Sequence, residues 1–349
     1  QNLGHTCYLN AQLQCAYHIP AVRCMILSPH DSDQSDEEND NSRQQLESVG
    51  LQALRVIFTD MTKASETGAG PVSTRILCKG LGIPVFEQQD SQEFWKLLLP
   101  ALKLPKLTDL YQGAFEDYIV ALDDSGRAKR REEPFLDLSI DVSSGTIKSA
   151  LLGLFGEPEL LSNAEGNGWR PEKGADKVDA HKGSLLRVQG LPSILQVHLK
   201  RFSFDWNTGT TSKLNNPLTF LEVLDLSEVC ENVDPEEKAQ CIYDLQSVVV
   251  HVGEYGSGHY YSYVRPDVKR KEWYRFNDEV VTSGLDFSDV SADAFGGKRK
   301  TSTSYRGGVC GLFKRLFRGT DEYGFGGRTS SAYVLQYVRR QEVPVLYKR

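Results

Sequence analysis

The sequence predicts an α+β fold, a helical lobe packed against an antiparallel sheet. Two observations carry this. Apolar residues recur at helical spacing through roughly the first 110 positions, and runs rich in Val, Ile, Tyr and Phe dominate from about residue 111 onward. Helices followed by strands, rather than alternating with them, favour segregated layers over a parallel α/β sheet.

Each element follows in order. Residues 7–19 (CYLNAQLQCAYHI) put Leu9, Leu13 and Ala16 on one helical face, with Pro20 as the stop. Residues 31–41 (DSDQSDEENDN) hold six acids and no apolar residue, so they read as a solvated insertion. A second helix is expected over 43–63, with Leu46, Val49, Leu51, Leu54, Val56 and Ile57 as its apolar positions. A third covers 90–99 (DSQEFWKLLL), where Asp90 is suited to cap the first turn. Strands are expected at 111–122, 134–142, 193–205, 243–255, 259–266, 272–278 and 330–340. The Gly-rich basic stretch 296–328 reads as a long surface loop or insertion. No internal repeat is present.

The 349 residues are 40% hydrophobic and 25% charged, enough to bury a substantial core. No apolar run is long enough to span a bilayer and no secretory signal opens the chain, so no membrane association is expected. Gln1 is followed almost at once by a motif, so the sequence reads as a domain cut from a longer protein. A net charge of −7 argues against a nucleic-acid partner. Seven cysteines with no CxxC pair argue against a disulfide framework and against a paired-cysteine zinc site, and a reducing cytoplasmic or nuclear location fits them. Neither metal nor cofactor is expected.

Three features narrow the chemistry. Cys7 follows NLGHT and opens a helix, whose N-terminal N–H groups and dipole stabilise a thiolate. His259 follows a Gly-rich loop at the start of a strand (EYGSGHYYSYV), where a substrate backbone can approach closely. The segment after it reads as a β-hairpin, which sets His259 opposite Asn277 or Asp278 within one residue of register. Either side chain can accept the Nδ1 proton and fix the base. The result is a cysteine nucleophile, a histidine base and an orienting Asn or Asp. By contrast, His251 and His198 lie inside strands and read as structural.

These residues lie in segments that resemble the ubiquitin-specific protease family. NLGHTCYLNAQLQ is similar to its cysteine box and QQDSQEF (88–94) to its second box. LPSILQVHLKRFSFD, the histidine region YDLQSVVVHVGEYGSGHYYSYVRP with EWYRFNDEVV, and the closing strand SSAYVLQYVRR follow in the family's order. The run 110–142 and the lack of paired finger cysteines resemble the branch containing the herpesvirus-associated ubiquitin-specific protease.

The resemblance implies a papain-like catalytic domain over 1–349, shaped as thumb, palm and fingers, with a helical thumb at about 1–110 and palm and fingers at about 111–349. It implies Cys7 as nucleophile, His259 as base, Asn277 as third member, Asp278 as an assisting acid, and Asn2 as donor to the oxyanion. Asp90, Glu93 and Tyr260 match positions along the channel for the basic, diglycine-ended ubiquitin tail, and Gly253–Gly258 matches a mobile blocking loop. The implied partners are ubiquitin and ubiquitinated proteins. Few residues precede Asn2, so its loop is expected to be weakly anchored. Two other readings are a catalytically dead ubiquitin-binding module and a protease for a different ubiquitin-like modifier.

Overall fold

The structure is a computed structural model that describes residues 1–28, 48–297 and 330–348. The acidic run 31–41, nearly all of 296–328 and the front of the helix expected at 43–63 lie outside the described residues.

Among the described residues six helices come first: α1 (Cys7–Tyr17), α2 (Pro20–Leu27), α3 (Val49–Thr67), α4 (Arg75–Leu81), α5 (Ser91–Ala101) and α6 (Pro105–Tyr111). Pro20 does more than stop α1. It is the first residue of α2, where its fixed φ suits a helix and no N–H is missed. The expected capping of α5 is present, with Asp90 Oδ1 accepting from Gln92 N at 2.8 Å and Glu93 N at 3.2 Å. Helix α1 is not amphipathic as its apolar spacing suggested. It is buried on nearly every side, and only Asn10 and Gln14 are less than fully covered. A helix enclosed all round belongs to a core rather than a surface.

The remaining elements are β1 (Gly113–Ala121), β2 (Ala128–Phe135), β3 (Leu138–Asp141), α7 (Ile147–Phe155), β4 (Glu159–Leu161), β5 (Ala180–Leu186), β6 (Ile194–Lys200), β7 (Phe202–Asp205), β8 (Thr210–Lys213) and β9 (Val223–Asp225). They continue with β10 (Ile242–Val252), β11 (His259–Val264), β12 (Trp273–Asn277), β13 (Val280–Leu285), α8 (Phe287–Ala294), β14 (Ser331–Arg339) and α9 (Val343–Leu346). The main sheet runs β13-β12-β11-β10-β14-β6-β3, with β9 on β10. It is antiparallel except where β3 pairs parallel to β6. A smaller sheet, β2-β1-β5-β4, stands apart, and β7 and β8 form a separate hairpin.

The period-2 alternation of the central strands explains why two cores exist. Val249, Tyr260, Val264, Val334 and Val338 pack with the helical lobe. Their neighbours Val248, Val250, Tyr261, Tyr263, Leu335 and Tyr337 pack on the other side with α7 and α8. A sheet covered on both faces reads as a near-continuous apolar run, which is why these strands were legible. Helix α1 lies against β11 and β10, so its first residue sits at the rim of the sheet.

Candidate active site

Residues 2–6 form a tight turn that delivers Cys7 to the start of α1. Asn2 Oδ1 accepts from Gly4 N and Thr6 N, both at 3.1 Å, while Leu3 N donates to Thr6 Oγ1 at 3.0 Å. His5 N donates to Val85 O at 2.8 Å, and Gly4 has φ +137° against that same carbonyl, where a Cβ would not fit. The loop around Asn2 is therefore well anchored, contrary to the expectation from the few residues before it. Its supports come from a segment far along the chain.

Cys7 is 3% exposed. Burial pushes its thiol up to about 11, and Asp278 adds to the rise. The backbone N–H groups of Tyr260, Tyr8 and Cys7 itself pull the other way. The helix N-terminus alone thus does not yield a thiolate in this state, because desolvation outweighs it. The Tyr260 contact is the informative one. Tyr260 directly follows His259, so the sulfur lies beside the first residues of β11.

His259 begins β11 and pairs with Val252. Its Nε2 lies 2.6 Å from Asn277 Oδ1 and 3.7 Å from Asp278 Oδ2. The hairpin expectation needs two corrections. The orienting contact is at Nε2, not Nδ1, which leaves Nδ1 as the nitrogen for the thiol. The ladder sets Ser262 against Phe276 and Val264 against Tyr274. Carried forward, it puts Asn277 beside Tyr261 and makes it the diagonal neighbour of His259 on the same side of the sheet. Nine residues, 265–273, separate the last paired positions Val264 and Tyr274, and that odd number shifts the register so that neither Asn277 nor Asp278 lies directly opposite His259.

Asp278 leaves the strand with φ +49°. Its carboxylate accepts from Asn2 Nδ2 at 3.0 Å and from Asn10 Nδ2 at 2.9 Å. It therefore ties the Asn2 loop, helix α1 and the end of β12 together. Asn10 carried only a weak signal in the sequence: it lies three residues after Cys7, one helical turn along the same face.

The remaining expected residues divide. Tyr260 lines the cleft at Cys7, and its ring packs on His251 and Tyr333. Both Asp90 oxygens are engaged, one in the α5 cap and the other by the Tyr333 hydroxyl. Glu93 is exposed, and with Asp90 it lines a separate cleft beside Tyr8 and Phe94. His251 and His198 are structural as expected. Burial lowers His251 to about 3, against Tyr260 and Phe202, while His198 meets the Ser139 hydroxyl at 3.0 Å.

Two supports were not visible in the sequence. Buried Asp293 accepts from Tyr261 at 2.5 Å and Tyr263 at 2.9 Å, and the His259 ring stacks on Tyr261. Gln88 closes both ends of its amide on Gly258, donating to its O at 2.9 Å and accepting from its N at 3.1 Å. A Cβ on Gly258 would overlap the His251 ring, so only glycine fits. Replacing Gln88 by Ala removes both bonds, and hydrogen exchange at the Gly253–Gly258 amides is expected to speed up about tenfold.

The family model described as ubiquitin carboxyl-terminal hydrolase matches residues 1–337. The chain belongs to that family. Members of this ubiquitin carboxyl-terminal hydrolase family are cysteine-type deubiquitinating enzymes with an α+β fold, in agreement with the layers described above. Ubiquitin C-terminal hydrolase 13 of Arabidopsis thaliana is 30% identical over 98% of this chain, which corresponds to 29% of the plant protein. Ubiquitin carboxyl-terminal hydrolase 15 of Schizosaccharomyces pombe is 29% identical over 98% of the chain and 28% of its own length. Ubiquitin carboxyl-terminal hydrolase 7 of Caenorhabditis elegans is 28% identical over 87% of the chain and 26% of its own length. The chain thus spans under a third of the length of these curated relatives. No helix among the described residues is long and apolar enough to cross a membrane.

Proposed function

We propose that this chain hydrolyses the isopeptide or peptide bond after the C-terminal glycine of ubiquitin, through a thioester on Cys7. One observation carries the reading: Cys7 lines one groove with Tyr260 and Asp278, and Tyr260 immediately follows a histidine whose Nε2 is held by Asn277. His259 takes the thiol proton at Nδ1, and the sulfur attacks the glycine carbonyl. Asn2 has one N–H engaged by Asp278 and a second to donate to the oxyanion, together with a backbone N–H near Cys7. The imidazolium then protonates the leaving lysine amine, and water, deprotonated by His259, releases ubiquitin. Glu93 stands on the acyl side, where an acidic rim suits the basic ubiquitin tail, and Tyr260 lies beside Cys7 at the boundary between the two sides. Resemblance in the run 110–142 supports a position in the branch containing the herpesvirus-associated ubiquitin-specific protease.

The test is reaction with ubiquitin carrying a cysteine-trapping C-terminus. A covalent adduct mapped to Cys7 is the expected result. Binding without adduct supports a dead ubiquitin-binding module, and an adduct only with another ubiquitin-like modifier redirects the specificity.

A further inference from the structure

Cys7 opens into a groove of about 540 Å³ that shares no lining residue with the Asp90–Glu93 cleft. One wall is α3, through Met61, Ala64 and Ser65. The opposite wall is the β12–β13 hairpin, through Phe276 and Val281. Asp278 and Glu279 stand in that hairpin between Phe276 and Val281, and both line the groove.

We propose that this groove receives the lysine-bearing segment of the conjugated protein, on the amine side of the scissile bond. The inference rests on the hydrolase reading and extends it to the part of the substrate that leaves. A chain crossing a nucleophile must run away from it in two directions. With the ubiquitin tail on the Asp90–Glu93 side, the lysine must depart on the other, and the groove is continuous with Cys7 there.

Its chemistry fits a lysine. The apolar walls cover a methylene stem, which is the part of that side chain that tolerates burial. Breaking the amide bond to the thioester turns the lysine nitrogen into an amine, which takes its proton from the His259 imidazolium and becomes an ammonium on binding a second one from water. Asp278 and Glu279 face that new cation and any basic residue beside it. His18, tilted against Phe276 at 5.0 Å, is held neutral by burial and adds no positive charge of its own to the groove.

The test compares two substrates of the same enzyme. One is ubiquitin bearing a C-terminal aminomethylcoumarin amide, which has almost nothing on the amine side. The other is ubiquitin joined through an isopeptide bond to the lysine of a peptide with flanking basic residues. Ser65→Trp and Val281→Trp fill the groove from opposite walls at exposed positions, where the fold tolerates them, and Glu279→Lys reverses the charge. The ratio of kcat/KM for the peptide conjugate to that for the coumarin amide is expected to fall about tenfold in each variant. An unchanged ratio, whether both substrates slow together or neither does, overturns the groove while leaving the hydrolase reading intact. A ratio that varies with enzyme concentration in the wild type assigns the groove to a second copy of the chain instead. Wild-type protein that cleaves neither substrate overturns the hydrolase reading, and this inference with it.

Discussion

Replacing Cys7 by Ala abolishes hydrolysis of a ubiquitin C-terminal amide, with an expected loss of about 10⁴-fold or more in kcat, because no other group can form the thioester. The measurement is single-turnover cleavage, paired with thermal unfolding to show that the protein still folds. Only the sulfur is lost, from the first residue of α1, so the stability cost is about 1 kcal/mol. Cys15 cannot substitute. It is buried two turns further into the same helix, and burial pushes its thiol up to about 12. Activity retained within tenfold of the wild type in Cys7→Ala would remove Cys7 from the mechanism.

The same residue gives a pH prediction. With its thiol pushed up to about 11, Cys7 is protonated at neutral pH in the free protein. The thiolate fraction then rises about tenfold for each pH unit up to that value and levels off above it. Alkylation of Cys7 by iodoacetamide is expected to follow that course between pH 7 and 10. A small reagent gains nothing from the cleft. Ubiquitin with a trapping tail brings its carbonyl-side charge to the donors of Asn2 and Cys7, and its reaction at pH 7 is expected to be much the faster of the two. Alkylation that is already fast and flat at pH 6–8 would mean that the thiol is ionised at rest and that the burial argument is wrong.

How much of this was legible in the sequence depends on whether a residue acts through near neighbours or distant ones. The central strands were readable because Val248, Val249 and Val250 are all buried on a sheet packed on both faces. The charged strand β2 (AKRREEPF) carries no apolar alternation, and pairing with β1 alone defines it. Cys7 and His259 stood out because a helix start and a Gly-rich strand start are local signals. Asn10, Gln88 and Asp293 did not, since each acts on a group far along the chain: Asn10 on Asp278, Gln88 on Gly258 and Asp293 on Tyr261. A hairpin midpoint located the third member of the set to within a residue or two. It did not say which imidazole nitrogen that member would meet, because ring orientation is set by packing against Tyr261 rather than by sequence spacing.

Asn277 and Asp278 are adjacent and both face His259, yet their substitution is expected to fail in different ways. Asn277 makes the direct contact at 2.6 Å, so Asn277→Ala frees the ring to rotate. The expected loss is ~10–10³-fold in kcat/KM, below that of Cys7→Ala, because Asp278 remains 3.7 Å away as a poorer acceptor. Asn277→Asp keeps an acceptor on Nε2–H and adds charge that favours the imidazolium, so it is expected to stay within about tenfold of the wild type. Asp278→Ala acts on a wider set. It leaves the amides of Asn2 and Asn10 without their shared acceptor and loosens the oxyanion donor together with α1. That variant is expected to lose activity and also about 1–3 kcal/mol of stability, whereas Asn277→Ala leaves the melting temperature nearly unchanged. The paired readout separates orientation of the base from assembly of the site. If Asn277→Ala is silent and Asp278→Ala loses activity without loss of stability, the orienting role belongs to the carboxylate, and the amide beside it is a spectator.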